Sequence, residues 1–200
     1  MDTPNPNLPP DVGAYYTAAQ FHALYSAGGL EILLSNIIHQ PFAGSTIRIP
    51  SGPDELEQFD SSMTGDVAVS NGGVPIFSGP VAGNGPVQTI VRNKIGHVTG
   101  TFDTEMLSMS LTSVTPLGPV MIRESPTLPS LGTTSITDIG GGLYHIDSFF
   151  DVWTELSIDG GQTWIPDANG PAHVQLNIPA PGAATLLAFG TLAGVRRRRR

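Results

Sequence analysis

The 200-residue chain contains no cysteine, which excludes disulfide staples and thiolate metal cages. It has no uninterrupted apolar run near the roughly 20 residues of a membrane helix, so its bulk is expected to be soluble and cored. It is also short of positive charge. Five of its nine basic residues are the terminal Arg196, Arg197, Arg198, Arg199 and Arg200, so residues 1–195 set only Arg48, Arg92, Lys94 and Arg123 against 17 carboxylates, a net charge of −13. An acidic body repels nucleic acid, which is excluded as a partner. The opening stretch from Met1 to Asp11 has four prolines, no basic residue and no apolar run, so it lacks the features of a secretory signal. Residues 1–13 are expected to be a flexible leader.

What the chain has in surplus is punctuation. It holds 24 glycines and 18 prolines, 42 of 200 residues, well above the average of about 12% and still below the roughly 25–30% of disordered chains. Between these breaks lie short segments of strand character. Leu107, Met109 and Leu111 alternate with Ser108, Ser110 and Thr112, and Ala172, Val174, Leu176 and Ile178 alternate with His173, Gln175 and Asn177. This period of two is that of a strand with one face on a core. Further strands are expected over 31–38, 45–49, 63–70, 74–77, 87–93, 97–103, 119–124, 133–139 and 143–158, with turns at Asn71-Gly-Gly73, Gly83-Asn-Gly-Pro86 and Gly140-Gly-Gly142. Residues 15–25 fit a short helix, with 20–25 fitting a strand as well, and 53–59 suggests a helical turn. The fold expected is all-β, an antiparallel, jelly-roll-like β-sandwich over 14–178, followed by a C-terminal apolar helical tail over 179–200.

One motif looks like chemistry. Ser157-Ile-Asp159-Gly-Gly161-Gln-Thr163-Trp164 resembles the Asp-box of sialidase propellers and many other β proteins. Asp159 is placed to hold the backbone of the turn it opens, the glycines to supply positive φ, and Trp164 to fold back over a hairpin. Enzymes of the sialidase type carry several such boxes and an arginine cluster, and this chain has one box. Ser157, Asp159, Gly161, Thr163 and Trp164 are therefore assigned a structural role.

No catalytic residue, cofactor or metal site is expected. The histidines His22, His39, His97, His145 and His173 are too scattered for a zinc site. The clusters Asp54, Glu55, Glu57 and Asp147, Asp151, Glu155 fit solvated faces better than a calcium site. Gly140-Gly-Gly142 precedes a strand, unlike a phosphate loop.

The tail is the most informative segment. Pro179, Ala180 and Pro181 end the last strand. An uncharged stretch from Gly182 to Val195 follows, and then Arg196 to Arg200. Fourteen helical residues would extend about 21 Å, short of a hydrocarbon core of roughly 30 Å, but arginine stems can snorkel and a basic end stays on the cytoplasmic side. These residues resemble the PEP-CTERM sorting signal of exported bacterial proteins, a Pro-Glu-Pro motif, a short apolar segment and an arginine-rich end, with Ala180 in the place of the glutamate. The resemblance implies transient recognition by an exosortase-type membrane protease, contact with the membrane through the tail, and delivery to the cell envelope or extracellular matrix. Since such substrates normally begin with an export signal, a start upstream of Met1 is expected. The expected function is thus that of a non-enzymatic exported envelope or matrix protein, with envelope polysaccharide as a further candidate partner. The alternative is a carbohydrate-binding module or glycan-active enzyme in which the Asp-box hairpin, Phe149, Phe150 and Trp153 line a sugar groove.

Overall fold

The computed structural model describes residues 1–115 and 118–177. They contain no helix and form β1 (Asp2–Thr3), β2 (Ala14–Thr17), β3 (His22–Ala27), β4 (Leu30–Pro41), β5 (Ile47–Ser51), β6 (Asp54–Asn71), β7 (Val74–Val91), β8 (Gly100–Thr115), β9 (Gly118–Glu124), β10 (Ser130–Gly140), β11 (Leu143–Val152), β12 (Thr154–Ser157), β13 (Ile165–Pro166) and β14 (Ala172–Asn177). The all-β, antiparallel expectation holds. The sandwich does not: β2, β4, β6, β7, β8, β10, β11 and β14 pair in that order, and β14 pairs back onto β2, which closes an eight-stranded barrel. Closure removes the free edges that a sandwich leaves. It depends on β10, whose two sides meet β8 and β11. Gly132 lies where they crowd closest, since a Cβ there would collide with the Phe149 carbonyl and lie 2.8 Å from the Thr104 hydroxyl.

Four barrel strands outrun the barrel. The first half of β4, the second half of β6, the first half of β7 and the second half of β8 continue into a second lobe, flanked by β3 on β4 and by β9, β12 and β13 beyond β8. The gap between β12 and β3 is bridged by Asp167 and Ala168. The Asp167 amide donates to the Thr154 carbonyl at 3.0 Å, the Leu24 amide donates to Asp167 Oδ1 at 2.9 Å, and the Ala168 amide donates to the Leu24 carbonyl at 2.8 Å.

Two bulges set which side chains enter the lobes. In β4, Ser35 faces Asp66 but Ile38 faces Thr64, and Asn36 takes up the extra residue at φ 52°. Before it Ile32 and Leu34 point inward; after it Ile37 and His39 do. In β8, Ser108 faces Gln88 and Met106 faces Thr89, which leaves Leu107 as the extra residue. Leu107 is therefore exposed, while Met106, Met109 and Leu111 are buried, contrary to the simple alternation of 107, 109 and 111.

Other expectations also change. Residues 15–25 resolve as strands β2 and β3. The stretch 53–59 is not helical: β6 starts at Asp54 and is paired with β5 on one side and β7 on the other. The Gly83-Asn-Gly-Pro86 break lies inside β7, where a Cβ on Gly85 would collide with the Ser110 carbonyl. Residues 1–13 are not a detached leader: β1 pairs with β11, Leu8 is buried, and Arg48 Nε donates to the Leu8 carbonyl at 2.7 Å. The expected helical tail lies outside the described residues.

Candidate functional site

The Asp-box is the β12–β13 hairpin turn. Glu155 faces Pro166 and Leu156 faces Ile165, so residues 157–164 form the connection. Asp159 Oδ1 accepts from the Ser157 hydroxyl at 2.8 Å and from the amides of Gln162 and Thr163 at 3.0 and 2.9 Å; Oδ2 accepts from the Thr163 hydroxyl at 2.5 Å. These donors hold the Asp159 carboxyl down at about 2. Gly160 and Gly161 take φ of 73° and 87°, and the Gly161 amide donates to Ser157 Oγ. Trp164 Nε1 donates to the Gly161 carbonyl, and the Arg123 guanidinium covers the ring at 4.0 Å, itself held by Glu155 at 2.6 Å. Both carboxylate oxygens serve the loop and the indole face is covered, an arrangement that fits a structural turn.

The other sequence-level candidates are dispersed. Phe150 is buried against Tyr15, Phe149 stacks on His173, and Trp153 follows β11, so the three rings do not form one platform. Asp147, Asp151 and Glu155 engage Gln175, His173 and Arg123 respectively. Among the described residues no group of three His, Cys, Asp or Glu side chains is arranged to hold a metal. Pro179, Ala180, Pro181 and Arg196 to Arg200 lie outside the described residues.

Two interior features escaped the sequence reading. The first is polar. Inside the barrel the Thr89 hydroxyl donates to Glu57 Oε2 at 2.8 Å, His39 Nε2 and Ser61 Oγ are 2.8 Å apart, and Tyr15 and Thr134 both bond the Ser148 hydroxyl. Glu57 Oε1 and Thr104 Oγ1 have no partner among the described residues. Burial pushes the Glu57 carboxyl up to about 8 and the His39 imidazole down to about 4. Burial thus favours the protonated, neutral form of Glu57, the cheaper form for a carboxyl out of water. The space beside these groups is only about 20 Å³, room for about one water.

The second feature is an apolar cavity of about 270 Å³ in the second lobe. Its walls include Leu34, Val67, Phe77, Leu111, Ile122 and Leu156, and no charged residue lines it among those described. Ile76 and Ile158, also in its lining, are 50% and 44% exposed and mark where it meets solvent. On β8 the inward row runs Met109, Leu111, Ser113, Thr115, with Val114 outward at 85% exposure. Thr115 donates to the Gly118 carbonyl, whereas Ser113 Oγ is buried with no partner among the described residues. The one signal in the sequence is that this row turns from Met109 and Leu111 to the small polar Ser113, where the packed core gives way to the cavity.

No protein-family model, curated protein or solved structure matches the chain.

Proposed function

We propose that the protein is a non-enzymatic, exported component of the bacterial cell envelope or extracellular matrix, addressed by its C-terminal tail. The observation that carries this reading is where the barrel completes itself. Asn177 pairs with Ala14 at the end of β14, and the pairings that close the ring are all made at or before that residue. Pro179-Ala180-Pro181, the uncharged span and the five arginines follow directly. Because the described strands close the ring by themselves, cutting the chain after residue 178 would not open it, which is what a cleaved sorting signal requires. Their order resembles the PEP-CTERM pattern, and an exosortase-type membrane protease is the partner it implies. The Asp-box supports the non-enzymatic part, because its carboxylate is engaged by its own loop.

The test is expression of the full chain with a C-terminal epitope in an exosortase-bearing host and in the same host lacking it, with fractionation and mass spectrometry of the mature C-terminus. Cleavage near 179–182 only in the first host, with the body in the envelope or medium, is the expected result. Ala180→Glu should raise the cleaved fraction by restoring the acidic position of the motif. An intact Arg200 on soluble cytoplasmic protein in the exosortase-bearing host refutes the assignment.

A further inference from the structure

We propose that the second-lobe cavity is a binding site for an uncharged, single-chain amphiphile, a hydrocarbon on the order of ten carbons carrying one hydrogen-bonding group.

The walls determine the class. Leu34, Val67, Leu111, Ile122 and Leu156 offer no hydrogen bonds, so water within about 270 Å³ of space lacks the two to four polar partners that hold a buried water. An apolar guest displaces that water and gains the burial of its own surface, about 25 cal/mol per Å². The volume equals about nine waters at roughly 30 Å³ each, which suits a short chain and is too small for a folded peptide element.

Charge excludes the ionic relatives. Among the described residues no Lys, Arg or His lines the cavity, and the body carries a net −13 before the terminal arginines, so a carboxylate or phosphate would be desolvated without a counter-ion. No Asp or Glu lines it either, so a buried ammonium meets the same cost. The polar requirement comes from Ser113, whose hydroxyl is buried with no partner among the described residues, while Thr115 beside it donates to the Gly118 carbonyl and Thr112 is exposed. An alcohol, ester or amide group on the guest satisfies it. The exposed Ile76 and Ile158 at the mouth give an entering chain an apolar surface to cross.

The experiment uses the full-length protein and the neutral dye N-phenyl-1-naphthylamine, displaced by 1-decanol or, at pH 8, by decanoate. The expected result is a rise in dye fluorescence, displacement by decanol, and decanoate weaker by at least tenfold. Val67→Trp fills the cavity and should abolish dye binding. Val81→Trp, at a half-buried lining position that tolerates bulk better, should do the same if the first variant misfolds. Ser113→Ala should weaken decanol about fivefold and leave the dye unchanged.

Equal displacement by decanoate, or dye binding that survives both tryptophan variants, overturns the proposal. So does an absence of binding. If binding then emerges only after Leu186, Leu187 and Phe189 are changed to serine, the cavity is occupied by the chain's own tail. If binding is lost with concentration as a dimer forms in sedimentation, the occupant is a second copy. Either result replaces the proposed ligand. Apart from occupation by the tail, which would also count against a discarded sorting signal, these outcomes do not depend on cleavage at 179–182, so failure of this site and failure of the sorting assignment are read separately.

Discussion

Glu57→Gln should make the protein more resistant to alkaline destabilisation than the natural chain. The Glu57 carboxyl sits inside the barrel, 2% exposed, with the Thr89 hydroxyl on one oxygen and no partner among the described residues on the other. Burial is the main cause of its rise to about 8; Glu55 adds to it, while Thr89, Arg48 and Lys94 oppose it. The unfolded chain releases this proton near 4.5, so from there to about 8 the native state holds a proton that the unfolded state has lost. Stability therefore falls as pH rises, by about 1.4 kcal/mol per unit, and levels off above 8. His39, lowered to about 4 by burial, gives the opposite trend, but only up to about 6.5. The window from pH 6.5 to 8 thus leaves His39 out, and Glu57 contributes an expected loss of about 2 kcal/mol across it.

Glutamine keeps the shape and the acceptor for Thr89 but does not titrate. Glu124, also raised by burial, to about 7, drifts in the same direction in both proteins and cancels in their difference. Urea unfolding followed by the fluorescence of Trp153 and Trp164 should show the gap between variant and natural protein moving by about 2 kcal/mol in the variant's favour, about 1 M in midpoint at an m-value of roughly 2 kcal/mol per M. Parallel curves from pH 6.5 to 8 would refute the buried-carboxyl argument.

Two further outcomes test the frame. Ile146→Ala empties a position with no exposure at all in β11 and should cost about 2–5 kcal/mol in urea unfolding, a loss under 1 kcal/mol arguing against the barrel core as described. Asp159→Ala removes the acceptor shared by Ser157, Gln162 and Thr163 and should lower the melting temperature at pH 7. Because the folded carboxyl is depressed to about 2, that deficit should be complete above about 4 and shrink as pH falls toward 2; thermal scans showing a pH-independent deficit would count against it.

Local chemistry was legible in the chain. The three glycines at 140–142 all take positive φ between β10 and β11, and the Ser157–Trp164 phrase forms a hairpin turn held by Asp159. In both, the cause lies within a few residues: φ > 0 favours glycine, and an aspartate reaches its own loop. The strand character of 172–177 was equally local, a period of two with every second residue buried.

Closure of the sheet was not local. It requires β10, besides its hairpin with β11, to pair with β8, from Ser130 opposite Met106 to Ile136 opposite Gly100, a relation between distant segments that no alternation encodes. The two bulges, at Asn36 and Leu107, likewise shift which face a strand buries only because of the partner's register. Burial of Glu57 and the cavity beside Ser113 follow from these long-range choices, since a strand's neighbours determine whether an inward residue meets a core, a polar interior or a cavity. Composition and spacing thus settled the class of structure and the turns at 71–73, 140–142 and 157–164, while tertiary pairing carried β7 straight through 83–86, decided barrel over sandwich and placed the cavity, because register is a property of two strands and not of one.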